Sequence, residues 1–154
     1  MKLSTLKASI LVLVGFTLIA ISTKSATTAQ VSRPLPNPSL NFLVQEPFSN
    51  RGKDFTRYKY EVFNRDSYPK ALFEASPALP PCGTNTNSAR TWVTIYDQSG
   101  KKLNTFCALK GGNDLDGIWF ALGRDEVPPS WVYIEFDDRK TNTKYKSNLA
   151  ETTN

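Results

Sequence analysis

The chain has 154 residues, with 19 Lys plus Arg, 14 Asp plus Glu, no His and a formal net charge of +5. Three of the cations, Lys2, Lys7 and Lys24, lie in an N-terminal export signal, so the remaining part has 16 cations against 14 acids and a net charge of only +2. That balance excludes an electrostatic nucleic-acid footprint as the leading reading, and the missing His excludes His-based acid–base chemistry, Ser-His-Asp and Cys-His nucleophiles and His-ligated zinc.

Lys2 and Lys7 form a basic start, and Ala8 to Ile21 is a 14-residue apolar run in which only Ser9 and Thr17 are polar. As a helix it would reach about 21 Å, short of the ~30 Å hydrocarbon core, so it reads as a cleavable signal rather than an anchor. Small residues at Thr27 and Ala29 place cleavage after Ala29, giving a signal over 1–29 and no stable membrane insertion once it is removed. Residues 30–39 follow as a Pro-rich linker or edge-hugging arm, with three prolines in the seven residues RPLPNPS.

The domain then runs over 40–148. A short strand is expected near Leu40 to Val44, and Phe55 to Asn64 alternates Tyr58, Tyr60 and Val62 against Arg57, Lys59 and Glu61, the pattern of a half-buried antiparallel strand. Arg65 to Pro69 supplies turn chemistry, and Ala75 to Ser88 is a long connection rich in Pro, Asn and Ser that contains Cys82. Thr91 to Tyr96 and Lys102 to Leu109 form a hairpin around Asp97-Gln98-Ser99-Gly100, where Gly100 tolerates positive φ. Gly117 to Leu122, Trp131 to Phe136 and Lys144 to Ser147, the last with Tyr145 inward, complete the strands, and 149–154 reads as a flexible polar tail.

Six or seven short strands, ten prolines and no helical periodicity point to an all-β fold, an antiparallel β-sandwich of about seven strands. Cys82 and Cys107 are the only cysteines, and in an exported chain an even count argues for one disulfide between them rather than a redox pair, which would need C-x-x-C spacing. The spacing of the strand, the hairpin and the final pair resembles the immunoglobulin and fibronectin type III class of sandwiches over about Leu40 to Ser147. The stretches PPCGTNTNSARTWVTIYD and PPSWVYIEFDDRKTNTKYKSNL also resemble small exported bacterial proteins of unknown function. The resemblance implies an immunoglobulin-like fold and carries no activity with it.

Asn113-Asp114-Leu115-Asp116-Gly117 has the oxygen-rich composition of a calcium loop, but the register fails because Gly123 stands where the bidentate Glu belongs, so an Asx-rich turn is the simpler reading. Asp137-Asp138 and Asp125-Glu126 are adjacent carboxylates that a strand would point to opposite faces, and they read as solvated charge. The residues call for no cofactor and no metal. Aromatics are more informative: Trp92 and Tyr96 alternate with Val93 and Ile95, and Trp131 and Tyr133 alternate with Val132 and Ile134. If the aliphatic faces are buried and the two strands share a sheet, these four aromatics line one outer face, flanked by Lys144 and Lys146. The opposite reading makes Trp92 or Trp131 the core Trp, and Trp119 carries the same ambiguity. The expectation is a secreted or periplasmic, non-catalytic binding module whose partner at the cell surface is a protein. The alternative is a polysaccharide bound by the aromatic face.

Overall fold

The computed structural model describes residues 34–82, 88–109 and 111–153. The expected export signal and its cleavage site lie outside them, as does part of the long connection before the central hairpin. Eight strands follow in order: β1 (Leu40–Asn50), β2 (Lys53–Val62), β3 (Thr91–Asp97), β4 (Lys102–Ala108), β5 (Ile118–Gly123), β6 (Trp131–Asp138), β7 (Thr143–Lys146) and β8 (Ala150–Glu151). Short 3₁₀ turns occupy Arg65–Ser67, Lys70–Phe73 and Gly111–Leu115, and no α-helix occurs among the described residues.

One sheet has the order β1-β2-β5 and the other β4-β3-β6-β7, with β8 pairing the start of β6, all antiparallel. The architecture is an all-β antiparallel sandwich. The alternation in the sequence explains the layers. Tyr58, Tyr60 and Val62 of β2 and Ile118 and Phe120 of β5 face Val93 and Ile95 of β3 and Val132, Ile134 and Phe136 of β6, and all are buried in one cluster. Tyr58 stacks on Phe120 with ring centroids 5.0 Å apart.

Two asparagines close the open sides of the sandwich. On one side Asn104 of β4 donates from Nδ2 to the Trp119 carbonyl of β5 at 2.7 Å, while its Oδ1 accepts the Thr105 N–H at 2.8 Å. On the other, Asn148 Oδ1 accepts the Leu40 N–H at 2.8 Å and its Nδ2 donates to the Leu40 carbonyl at 3.0 Å. Each side-chain amide thus does for a sheet edge what a neighbouring strand would do.

Two features depart from the sequence expectation. First, β1 is more than twice as long as expected. Its far half lacks apolar alternation and contains Pro47, which an edge strand accommodates. It ends in a two-residue turn where Arg51 and Gly52 both have positive φ, +52° and +76°, the conformation that suits the twist of a hairpin. Second, the supposed flexible tail is partly ordered: Ala150 and Glu151 pair with Val132 and Trp131, and Ala150 and Thr152 are buried. A two-residue strand is too short to leave a pattern in sequence. Of the two alternatives for the Pro-rich segment, residues 34–39 take that of the edge-hugging arm: Pro38 is buried, Leu35 packs on the core, and Tyr68 and Asn64 donate to the Pro36 and Asn37 carbonyls.

Asp138 is a further correction, because it is not solvated charge. It continues the inward face of β6 after Phe136 and is only 2% exposed. Arg90 Nε and Nη2 donate to its two oxygens at 2.8 and 2.6 Å, joined by the Thr141 hydroxyl and the Lys140 N–H. Arg90 also donates from Nη1 to the Ala71 carbonyl, so one ion pair ties the Lys70–Phe73 turn, the entry to β3 and the β6–β7 turn together. Burial by itself would raise the Asp138 pKa, but the hydrogen bonds from Arg90, Thr141 and Lys140 outweigh it and hold the carboxyl at about 2.

Because the folded pKa is depressed below the ordinary carboxylate value, ionised Asp138 contributes stability above about pH 4 that is lost as pH falls through about 2. The contribution is about 2 kcal/mol. Asp138→Asn should cost roughly 2–4 kcal/mol at pH 7, since Arg90 loses its partner. In urea unfolding, the gap between wild type and variant should narrow by about 2 kcal/mol below pH 3, and a gap that stays constant with pH would refute the assignment. Reduction of the Cys82–Cys107 disulfide, which spans a sequence separation of 25, should lower stability by about 3–4 kcal/mol in the chain-entropy model, read as a shift of the urea midpoint.

Candidate binding face

The outer face of the five-stranded sheet follows directly from strand register. β3 and β6 pair so that Tyr96 lies opposite Tyr133, Thr94 opposite Glu135 and Trp92 opposite Asp137. Since Val93, Ile95, Val132, Ile134 and Phe136 point inward, these side chains all point outward. The predicted aliphatic-in, aromatic-out arrangement of the two strands is therefore present in one sheet.

Three of the four predicted residues come together. The Tyr96 and Tyr133 rings stack, with centroids 5.2 Å apart and planes 20° from parallel. Lys146 of β7 sets its ammonium 3.9 Å from the Tyr133 ring centroid. Lys102 of β4 pairs in register with Tyr96 on the opposite side. Trp131 lies two residues before Tyr133 on the same face, is 40% exposed, and its backbone is held by Gln98, whose N–H donates to the Trp131 carbonyl and whose Oε1 accepts the Trp131 N–H.

Trp92 is placed apart from them. One rung of the ladder, Thr94 and Glu135, separates it from the tyrosines, and Glu135 is engaged by Lys144 at 2.6 Å. That hydrogen bond raises the Lys144 pKa. Trp92 pairs in register with Cys107 and packs against the cluster of Cys82, Ala89 and Cys107, while the Arg139 guanidinium lies 4.3 Å from the centre of its ring. The predicted Cys82–Cys107 disulfide is present, and through Cys107 it sits on this outer side of β4. It staples the long connection over Trp92, so this indole is a packing element. Its ring N–H and Asp137 Oδ1, on adjacent strands, are both buried without a hydrogen-bond partner among the described residues. Arg139 donates to the other Asp137 oxygen at 3.2 Å.

A second aromatic group, which the sequence reading did not assemble, covers the outer face of the three-stranded sheet. Phe48 of β1 lies 6.2 Å from Phe55 of β2 and 5.6 Å from Trp119 of β5, between ring centroids. The Arg57 guanidinium sits 4.9 Å from the Phe48 ring and 5.6 Å from the Trp119 ring while pairing with Glu46. A β-bulge between Phe42 and Val44 produces the group. Counted in twos from Leu40, Phe48 should face inward; the extra residue, Leu43, reverses the parity and turns Phe48 out beside Phe55. The group is self-contained, since its cation is already neutralised by its own carboxylate.

The calcium-like stretch folds differently from a cation loop. Asp114 Oδ2 accepts the Leu109 N–H at 2.6 Å and Asp116 pairs with Arg65 at 2.8 Å, so the two carboxylates diverge. Among the described residues, no group of three His, Cys, Asp or Glu side chains is placed to hold a metal ion. Hollows of about 390 Å³ beside the β1–β2 hairpin and about 540 Å³ between β4 and β5 lie away from the tyrosine pair, which is a flat surface.

No protein-family model, no curated protein sequence and no solved structure matches this chain. The functional reading therefore rests on the surface itself.

The two tryptophans should separate in mutation. Trp92→Ala is expected to cost roughly 2–3 kcal/mol, because it empties the space beneath the disulfide. Trp131→Ala should stay within about 0.5 kcal/mol of wild type. Urea denaturation of both variants checks the pair, and equal losses would contradict the division.

Proposed function

We propose that this protein is an exported, non-catalytic binding module that engages a partner protein through Tyr96, Tyr133 and Trp131 on the outer face of its five-stranded sheet. The apolar export segment and the disulfide support export. The observation that carries the choice of partner is the stacking of Tyr96 on Tyr133. Rings stacked on each other across neighbouring strands present edges and hydroxyls outward, whereas a sugar ring needs an open aromatic face.

One face of Tyr133 is taken by Tyr96 and its ring is further covered by Lys146; Trp92 is covered by Arg139 and packed against the disulfide cluster. Tyr96, Tyr133 and Trp92 each have a ring face covered within the chain, which favours the protein reading over the polysaccharide one. An aromatic centre with a rim of Lys102, Lys146 and Gln98 has the composition of a protein interface, where Trp and Tyr anchors carry most of the binding energy.

A photo-crosslinking amino acid placed at position 133, with the chain expressed in its own host, should give one discrete protein adduct on irradiation. The same group at position 59, on the opposite sheet, should give none. Adding Trp131→Ala should reduce the adduct by roughly 30-fold, the effect of an interface anchor worth about 2 kcal/mol. Tryptophan-fluorescence changes on titration with polysaccharides, abolished by Trp131→Ala and unaccompanied by any protein adduct, would overturn the proposal in favour of the sugar reading.

A further inference from the structure

The lysines beside the tyrosine pair differ from the other cations of this face. Lys144 is bound to Glu135 and Arg139 to Asp137. Lys102 and Lys146 make no ion pair among the described residues, and they stand on opposite sides of the stack, one in register with Tyr96 and the other over Tyr133. The acids around them are occupied or displaced. Glu135 is held by Lys144. Asp97 caps its own turn by accepting the Ser99 N–H and hydroxyl and the Lys101 N–H. Glu151 pairs in register with Trp131, one rung further along. The tyrosine pair is thus bracketed by two lysines that make no ion pair among the described residues.

We infer that the segment recognised by this face is an extended acidic peptide of the partner protein, with an apolar or aromatic residue over Tyr96 and Tyr133 and a carboxylate two residues to either side, reaching Lys102 and Lys146. The inference rests on the protein-binding reading above and adds the chemistry of the ligand. The spacing follows from sheet geometry. Lys102, Tyr96, Tyr133 and Lys146 stand on four successive strands, Lys146 in register with Glu135 and its ammonium reaching diagonally over Tyr133, and strands lie about 4.8 Å apart, so the two lysine backbones stand about 14 Å apart across the sheet. An extended chain advances about 3.3 Å per residue and points every second side chain the same way. Positions i and i+4 therefore span about 13 Å on one face, with i+2 between them over the rings. The tyrosine hydroxyls, at the exposed edge of the stack, can hydrogen-bond the backbone of such a segment.

The test uses short fluorescein-labelled peptides with Tyr at the centre and Glu two residues to either side, titrated against the mature full chain by anisotropy at low and high NaCl. Gln replaces Glu in the control peptide, and adjacent rather than flanking Glu residues make a second control. The flanking-Glu peptide should bind at least about tenfold more tightly than either control at low salt, and the advantage should shrink as added NaCl screens the exposed charges. Lys102→Glu and Lys146→Glu should each remove the preference for Glu over Gln while leaving the urea midpoint in place. Lys70→Glu, on a surface turn remote from this face in sequence, should leave binding unchanged. Equal binding of Glu and Gln peptides, insensitivity to both lysine reversals, or stronger binding of polygalacturonate than of any peptide would overturn the inference. If position 133 still crosslinks to a protein while Glu and Gln peptides bind alike, the charge pattern falls and the protein-binding face stands.

Discussion

Strands β3 and β6 run antiparallel in register over seven residue pairs, from Thr91 with Asp138 to Asp97 with Val132. That pairing sets both surfaces of the larger sheet at once. On the inner side it aligns Val93, Ile95, Ile134 and Phe136 into the core, each of them fully buried. On the outer side it brings Tyr96 against Tyr133 and sets Trp92 beside Asp137. A slip of one residue would exchange the two sides, burying tyrosine hydroxyls and exposing the aliphatics. The burial that fixes the fold is therefore also what fixes the geometry of the binding face.

Ion pairing divides the outer surface into parts that stabilise and parts left available. Arg90 is spent on buried Asp138, where it holds a turn, the entry to β3 and a hairpin together. Arg57 is spent on Glu46 beneath Phe48 and Trp119. Arg139 and Lys144 are spent on Asp137 and Glu135. Beside Tyr96 and Tyr133, by contrast, Lys102 and Lys146 make no ion pair among the described residues. Aromatic content alone would not distinguish the faces; the state of the adjacent charges does.

Much of this was legible in the sequence where a single period runs unbroken. The alternation in β2 gave its inward and outward sets, that in β3 and β6 separated two faces without deciding which was buried, and the even count of two cysteines gave the disulfide. Asp138 was legible in principle, since it shares parity with Val132, Ile134 and Phe136, but the reading stopped the strand at Phe136 and so released its acids to solvent. The β3–β4 hairpin puts Cys107 opposite Trp92, which takes that tryptophan out of the patch; the turn at Gly100 was recognised and its register was not followed through. The bulge at Leu43 and the two-residue β8 leave no trace that hydrophobic periodicity can detect, because one breaks the period and the other is shorter than it.

Two asparagines bridge the sheets: Asn148 both donates to and accepts from Leu40, while Asn104 donates to Trp119 and accepts the Thr105 N–H of its own strand. Slow deamidation, an ordinary ageing reaction of proteins, would turn either side chain into a carboxylate that can only accept. At each seam the carbonyl of Trp119 or Leu40 would then confront a negatively charged oxygen in place of an N–H. Deamidation at either position would thus loosen this sandwich where its two layers meet, at the sides, and leave the packed interior untouched.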